Sequence, residues 1–446
     1  MVYQTCDVEY TKLGTIYDSK QVEALLTACA DASSLVVLTH GWNNDMTEAR
    51  KLYDELLASL HRVATAEPQI LQDATVLQVF WPSKKFAAED LIAGGGAASI
   101  TEHDELQQSL QALRHDPYLL GDTAPESIAP VWSNDIHHAI ALVDQLEDSA
   151  QARREFVLHI RAALDPAEAH NDDASREFFE LEPYELFAHF GEPVGIITPG
   201  LDGGSAGGVG ITDFDEAGGA AFLGGGWSKV KAAAMRIANY ATYYQMKSRA
   251  GTVGRNGLAQ TLELVRERYS HLPIHLIGHS FGARAVVSAV AQLTPQKAPV
   301  SMSLLQAAFS HNGFAEKFDG KHDGAFRAVV TEGRASGPII ITHTKNDRAV
   351  GVAYPLASRI ARDNAAALGD KNDPYGGMGR NGAQHTPEVN VSEAFLRDWD
   401  LATPYQFSPG HVYNLQADRF IHDHADITGS EVANATLQAM RSALSF

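Results

Sequence analysis

Gly278-His279-Ser280-Phe281-Gly282 sets a serine between two glycines in the pattern G-x-S-x-G, the strongest chemical signal in the chain. A serine hydroxyl is a weak nucleophile at neutral pH. It needs a base to take its proton, a carboxylate to orient that base, and amides to hold the oxyanion formed when it attacks an acyl carbon. The flanks say how such a serine would be held. Ile274-His275-Leu276-Ile277, behind Pro273, reads as a buried strand, and the run from Ala283 reads as a helix. So short a turn strains the backbone at Ser280 and requires small residues at 278 and 282, where backbones approach. It also presents Oγ at the carboxyl edge of a sheet and aims the amino end of a helix, with its free amides, at the reacting centre.

A base and an acid must then be brought beside it; in the fold that carries such a strand–turn–helix serine they arrive on loops at the ends of later strands, in the chain order serine, acid, histidine. Gly337 to His343 reads as a strand that runs into Thr344-Lys345-Asn346-Asp347, and His411 to Gln416 as a last strand followed by Ile421-His422-Asp423-His424-Ala425-Asp426. Ser280, Asp347 and His424 satisfy the order. The residues alone leave competitors: His422 for the base, Asp319 and Asp418 for the acid. His40 reads as a loop-bracing residue and His279 as packing beside the serine. The H-x-H of 422 to 424 is also a metal-type pattern, with His137-His138 elsewhere, but no third ligand follows at a diagnostic spacing. No cofactor or metal is expected.

The elements that would position these groups alternate. Leu35-Val36-Val37-Leu38-Thr39 is a β-branched strand entering the loop His40-Gly41-Trp42. A helix follows with a capping-box start at Asp45 and Glu48, and then a strand from Ala74 to Trp81, stopped by Pro82. A further edge strand is expected near Val8 to Thr11, and a helix from Ser19 with Val22, Leu25, Leu26 and Cys29 on one face. Strand, helix, strand, and later strand, turn, helix, is the pattern of an α/β fold with a mostly parallel sheet covered on both faces. The chain reads as a single such domain over 1–446. A long excursion at 84–226 holds acidic helices around 101–113 and 134–149 and glycine clusters at 94–96 and 203–226; a second excursion spans 351–410. Two helices, 227–249 and 258–269, lead to the serine strand.

These features resemble the α/β-hydrolase superfamily, and more closely its lipase- and esterase-like serine hydrolases. The resemblance rests on the His40-Gly41-Trp42 loop, the Gly278 to Gly282 turn, Asn346-Asp347 after a late strand and His424-Ala425-Asp426-Ile427 before the last helix. It covers the sheet-forming half of the chain. It implies Ser280 as nucleophile, His424 as general base and then acid, Asp347 as its orienter, and the backbone amides of Trp42 and Phe281 as oxyanion donors. The activity implied is hydrolysis of a carboxylic ester through an acyl-enzyme. Amide or peptide hydrolysis and acyl transfer would use the same residues, and a catalytically silent fold used for binding is the rival outside enzymes. The 84–226 excursion leaves at the sheet edge that carries Ser280, so a cap over the active site is expected. His40, His279, Phe222, Leu223 and Trp227 are the candidate pocket residues.

Composition narrows the partners. With 45% hydrophobic and 20% charged residues, the chain of 446 has the balance of a globular protein. Its net charge of -20 argues against nucleic acid or anionic lipid as partner; the resemblance implies a small-molecule or lipid-like ester. Two cysteines, Cys6 and Cys29, are too few for a disulfide framework. No apolar run approaches membrane-spanning length and the amino terminus lacks a leader pattern, so a cytoplasmic location is expected.

Overall fold

The computed structural model describes residues 3–83, 102–120, 131–191, 195–196, 212–213, 228–347, 349–350, 374–399 and 404–444. Seven strands form the main sheet: β1 (Gln4–Glu9), β2 (Leu35–Thr39), β3 (Thr75–Phe80), β4 (Ile274–His279), β5 (Ser301–Leu305), β6 (Ile339–His343) and β7 (Val412–Gln416). Their order is β1-β3-β2-β4-β5-β6-β7, and every neighbouring pair is parallel. The central strands are continuous apolar runs because both their faces are covered. Alternate residues of β2 show the division: Leu35 and Val37 enter one core, Val36 and Leu38 the other.

The first core lies under α1 (Ser19–Ala28) and the helices that precede and follow β4; the second lies under α2 (Met46–Val63) and the last helix of the chain, Ser430–Leu444. Helix α2 starts where the sequence places it. The Asp45 carboxylate accepts the Thr47 and Glu48 amides, while Glu48 accepts the Asp45 amide. Strand β1 begins at Gln4, earlier than the expected Val8 to Thr11. Tyr10 lies just past it, its amide donating to Phe80 O at 2.8 Å and its buried hydroxyl meeting Thr261 Oγ1 at 2.7 Å.

The first excursion supplies α3 (Glu102–Arg114), α4 (Asn134–Ala141), α5 (Ala150–Ala162), α6 (Ser175–Glu180) and α7 (Pro183–Gly191). They build a third core with the first two thirds of α8 (Lys229–Thr252), through Leu110, Ile136, Phe156, Phe178, Phe190, Ile237 and Tyr240. The last third of α8 belongs to the sheet core through Met246 and Ala250, so one helix joins the two bodies. The sequence suggests a break between two helices here, but α8 continues through a π-helical segment, Val253–Leu258, into α9 (Ala259–Arg268). Glycines that look like a stop are needed for approach. A Cβ at Gly254 would lie 2.2 Å from Ala285 O, and one at Gly257 2.4 Å from the Tyr10 ring. Among the described residues, no helix is long and apolar enough to cross a membrane.

Candidate active site

Ser280 ends β4 and opens α10 (Phe281–Val290) at φ 56°, ψ -124°, a conformation outside the ordinary regions for a residue with a side chain. The surroundings over-determine it. Ser280 N donates to Leu305 O at 3.0 Å, and Ser280 O accepts from Ala283 N and Ala308 N, both at 3.1 Å. The flanking glycines are compulsory on steric grounds: a Cβ at Gly282 would fall 2.2 Å from Thr39 O, and one at Gly278 2.5 Å from the Ala283 Cα. α10 can pack against β2 at Gly282 and against β4 at Gly278 only because these positions are bare.

In a parallel sheet the loops after β2, β4, β6 and β7 share one edge. That topology brings together residues 41–42, 280, 347 and 424. His424 Nε2 lies 2.8 Å from Ser280 Oγ, and His424 Nδ1 lies 2.8 Å from Asp347 Oδ2. Since the carboxylate only accepts, Nδ1 carries the proton and Nε2 offers its lone pair to the serine hydroxyl. Asp347 is fully buried, and its other oxygen, Oδ1, accepts the Val350 amide at 2.9 Å. The arrangement can pass a proton from an alcohol to an imidazole beside a fixed negative charge.

The competitors settle elsewhere. His422 is exposed and pairs with Asp426 at 3.0 Å. Asp319 accepts the amides of Lys321 and His322 and pairs with the His322 ring. Asp418 clamps the acid loop, accepting from Thr344 Oγ1 at 2.9 Å and the Lys345 amide at 3.0 Å. Asn346, beside the acid, donates to Asp418 O and Ile421 O, which stitches the acid loop to the histidine loop. Asp423 accepts the amides of Ala425 and Asp426, a turn that presents His424. Among the described residues no three His, Cys, Asp or Glu side chains converge as a metal site.

No family model, no curated protein and no solved structure matches the chain.

Trp42 follows the bare Gly41, and a Cβ there would press 2.7 Å from the Ser280 Cβ. The Trp42 and Phe281 rings are 6.1 Å apart, and among the described residues neither backbone amide has an acceptor. The Phe281 amide opens α10 and the Trp42 amide lies in the loop after β2, and free amides beside a hydroxyl are suited to an anion. His40 takes the loop-bracing place that the sequence suggests, rather than its other candidate place in a pocket. Its fully buried ring stacks on Trp81 at 5.5 Å, donates from Nδ1 to Gly41 O at 2.9 Å and accepts the Trp81 amide at Nε2, 3.3 Å away. Burial pushes its pKa down to about 4, so it braces the loop as a neutral ring.

His279 does more than pack. Its Nε2 donates to His424 O at 2.9 Å, and burial, with His424 nearby, lowers its pKa to about 3. It holds the backbone of the His424 turn from beneath. The sequence reading missed this, and it missed Gln306, which donates to the acid. The expected pocket residues Phe222, Leu223 and Trp227 lie outside the described residues, as do the glycine clusters of the excursion.

Proposed function

We propose that the chain is a serine hydrolase of the α/β-hydrolase type that cleaves a carboxylic ester through an acyl-enzyme. The carrying observation is the continuous chain Ser280 Oγ, His424, Asp347, closed by two contacts of 2.8 Å at a residue held in a strained turn. Strain kept by several backbone bonds is the mark of a group presented for use.

Ser280 Oγ attacks the acyl carbon as His424 Nε2 takes its proton. The new Oγ–C bond pushes the carbonyl electron pair onto oxygen, where the Phe281 and Trp42 amides receive it. Collapse breaks the bond to the leaving alkoxide, which takes the proton from His424. Water then attacks the acyl-enzyme with His424 again the base, releasing acid and restoring Ser280. The buried Asp347 stabilises the transient imidazolium and fixes its tautomer. In this reading the 84–226 excursion caps the site, the substrate is a small or lipid-like ester, and a reducing cytoplasm suits the two thiols, both free.

A fluorophosphonate probe tests the reading directly. Labelling should occur in the wild type and vanish in Ser280→Ala, with ester turnover reduced about 10⁴-fold or more. An unlabelled wild type would point instead to a silent fold, and faster cleavage of anilides than of matched p-nitrophenyl esters to an amidase.

A further inference from the structure

Gln306 stands one residue past β5, fully buried, at φ 46°. Its Nε2 lies 3.2 Å from Asp347 Oδ2 and 3.0 Å from Gly379 O. Both partners are acceptors, so the amide orientation is decided: the NH₂ faces the acid, and Oε1 points away. That Oε1 is buried with no hydrogen-bond partner. An apolar side chain of similar size would avoid the uncompensated oxygen, so what the amide contributes here is its two donated bonds.

The backbone of the same segment serves the nucleophile. Leu305 O accepts the Ser280 amide, Ala308 N donates to Ser280 O, and between them Gln306 N is held by Thr342 Oγ1 at 3.2 Å. The left-handed turn at Gln306 sends the side chain toward β6 while its neighbours grip Ser280. Gly379 allows it, since a Cβ there would sit 2.5 Å from the Gln306 carbonyl carbon. Asp347 Oδ2 thus receives two donors, His424 Nδ1 and Gln306 Nε2, and Oδ1 one, the Val350 amide.

We infer that Gln306 is a positioning residue, which fixes the rotation of the Asp347 carboxylate so that Oδ2 meets His424 while Leu305 and Ala308 fix Ser280. This rests on the hydrolase reading above. Without the amide, the Val350 N–H is the one donor left besides His424 itself, and the carboxylate can turn with the imidazole it is meant to orient. The charged or titratable groups around the pair are His424, His279 beneath it, and Arg380, which donates to Asp347 O at 3.3 Å.

The test is Gln306→Glu beside Gln306→Leu, read as pH profiles of kcat and KM for a p-nitrophenyl ester. When protonated, the introduced carboxyl can donate to Oδ2 as the amide does; when ionised, it sets a second negative charge against Asp347. Gln306→Glu should therefore approach wild-type kcat at low pH and fall at least tenfold as pH rises, a new limb absent from the wild type, with KM little changed. Gln306→Leu should lose kcat at every pH. A folded Gln306→Glu with the wild-type profile, or a Gln306→Leu with wild-type kcat, would overturn the positioning role. If the wild type itself takes no fluorophosphonate, the hydrolase reading has failed instead. Should Gln306→Leu not fold, the pH limb of the isosteric Gln306→Glu still decides.

Discussion

Asp347→Asn keeps the volume of a fully buried side chain and removes its charge, so it isolates what the carboxylate supplies. Asp347 receives the Val350 amide at Oδ1 and His424 and Gln306 at Oδ2. A side-chain amide cannot satisfy that set. With its NH₂ on the Oδ1 side it confronts the Val350 N–H. With its NH₂ on the Oδ2 side it confronts the Gln306 NH₂ and obliges His424 to accept at Nδ1, which leaves a proton on Nε2, facing Ser280 where a lone pair is needed. The lost charge also matters in itself. Unit charges about 4 Å apart interact by about 4 kcal/mol at an effective dielectric near 20, close to three decades in rate. Adding the tautomer conflict, kcat/KM should fall about 10³- to 10⁴-fold. The assay is steady-state hydrolysis of a p-nitrophenyl ester by protein whose circular dichroism matches the wild type. A loss under tenfold would refute the argument that Asp347 stabilises the imidazolium.

Gly41→Ala should cost roughly 10²-fold in kcat with the fold intact, because its Cβ would lie 2.7 Å from the Ser280 Cβ and 3.2 Å from Oγ and must displace the serine; unchanged kcat would mean the loop yields instead. Lys247→Met removes the cation paired with Asp173, both buried, and should lower unfolding stability by about 3–5 kcal/mol in denaturant titrations, with Asp173→Leu in the same chain restoring most of it. Acid should destabilise the protein through its buried histidines. Burial lowers the pKa of His40 to about 4 and of His275, His279 and His311 to about 3, so between about pH 6.5 and these values the unfolded chain binds protons the folded one refuses. Stability present above that window is lost as pH falls through it, by up to about 1.4 kcal/mol per unit for each ring. His275→Leu should flatten the dependence of stability on pH, as measured by denaturant titrations from pH 7 to 4, and an unaltered slope would show that His275 does not contribute.

Much of the frame was legible because the physics that makes it is local. β2, β3 and β4 are buried on both faces and therefore read as apolar runs; α2 announces itself by its capping box, and the turn at Ser280 by its two compulsory glycines. Two readings failed where tertiary contact overrode local preference. Gly254 and Gly257 look like a helix stop but let a continuous helix touch Ala285 and Tyr10, and the polar start of β1 hides an edge strand that pairs with β3 on one side alone. The partners of Ser280 were legible only as a short set. Asp347 and Asp418 both follow late strands, and what separates them is which one meets His424, a contact across 77 residues of sequence. Nothing marks Gln306 in the sequence, since glutamine has no preference for the left-handed turn it occupies.

The attachment of the first excursion was equally invisible, and it constrains how a substrate could reach Ser280. Arg284, four residues after the serine on α10, lies 3.2 Å from Glu168, whose other oxygen pairs with Arg255 of the π segment. Burial would raise the Glu168 pKa, but the Arg284 and Arg255 charges outweigh it and hold the carboxyl below its ordinary value. Asp173 pairs with Lys247 of α8, and Ser310, on the loop after β5, donates to Asp172 O at 2.5 Å. These contacts join the excursion to the helix that carries Ser280 and to the segment that grips it. Lifting residues 168–175 as a block would break the Glu168–Arg284, Glu168–Arg255 and Asp173–Lys247 pairs together. In the hydrolase reading, a route to the serine that leaves the seam of Glu168, Asp173, Lys247 and Arg284 closed keeps all three pairs.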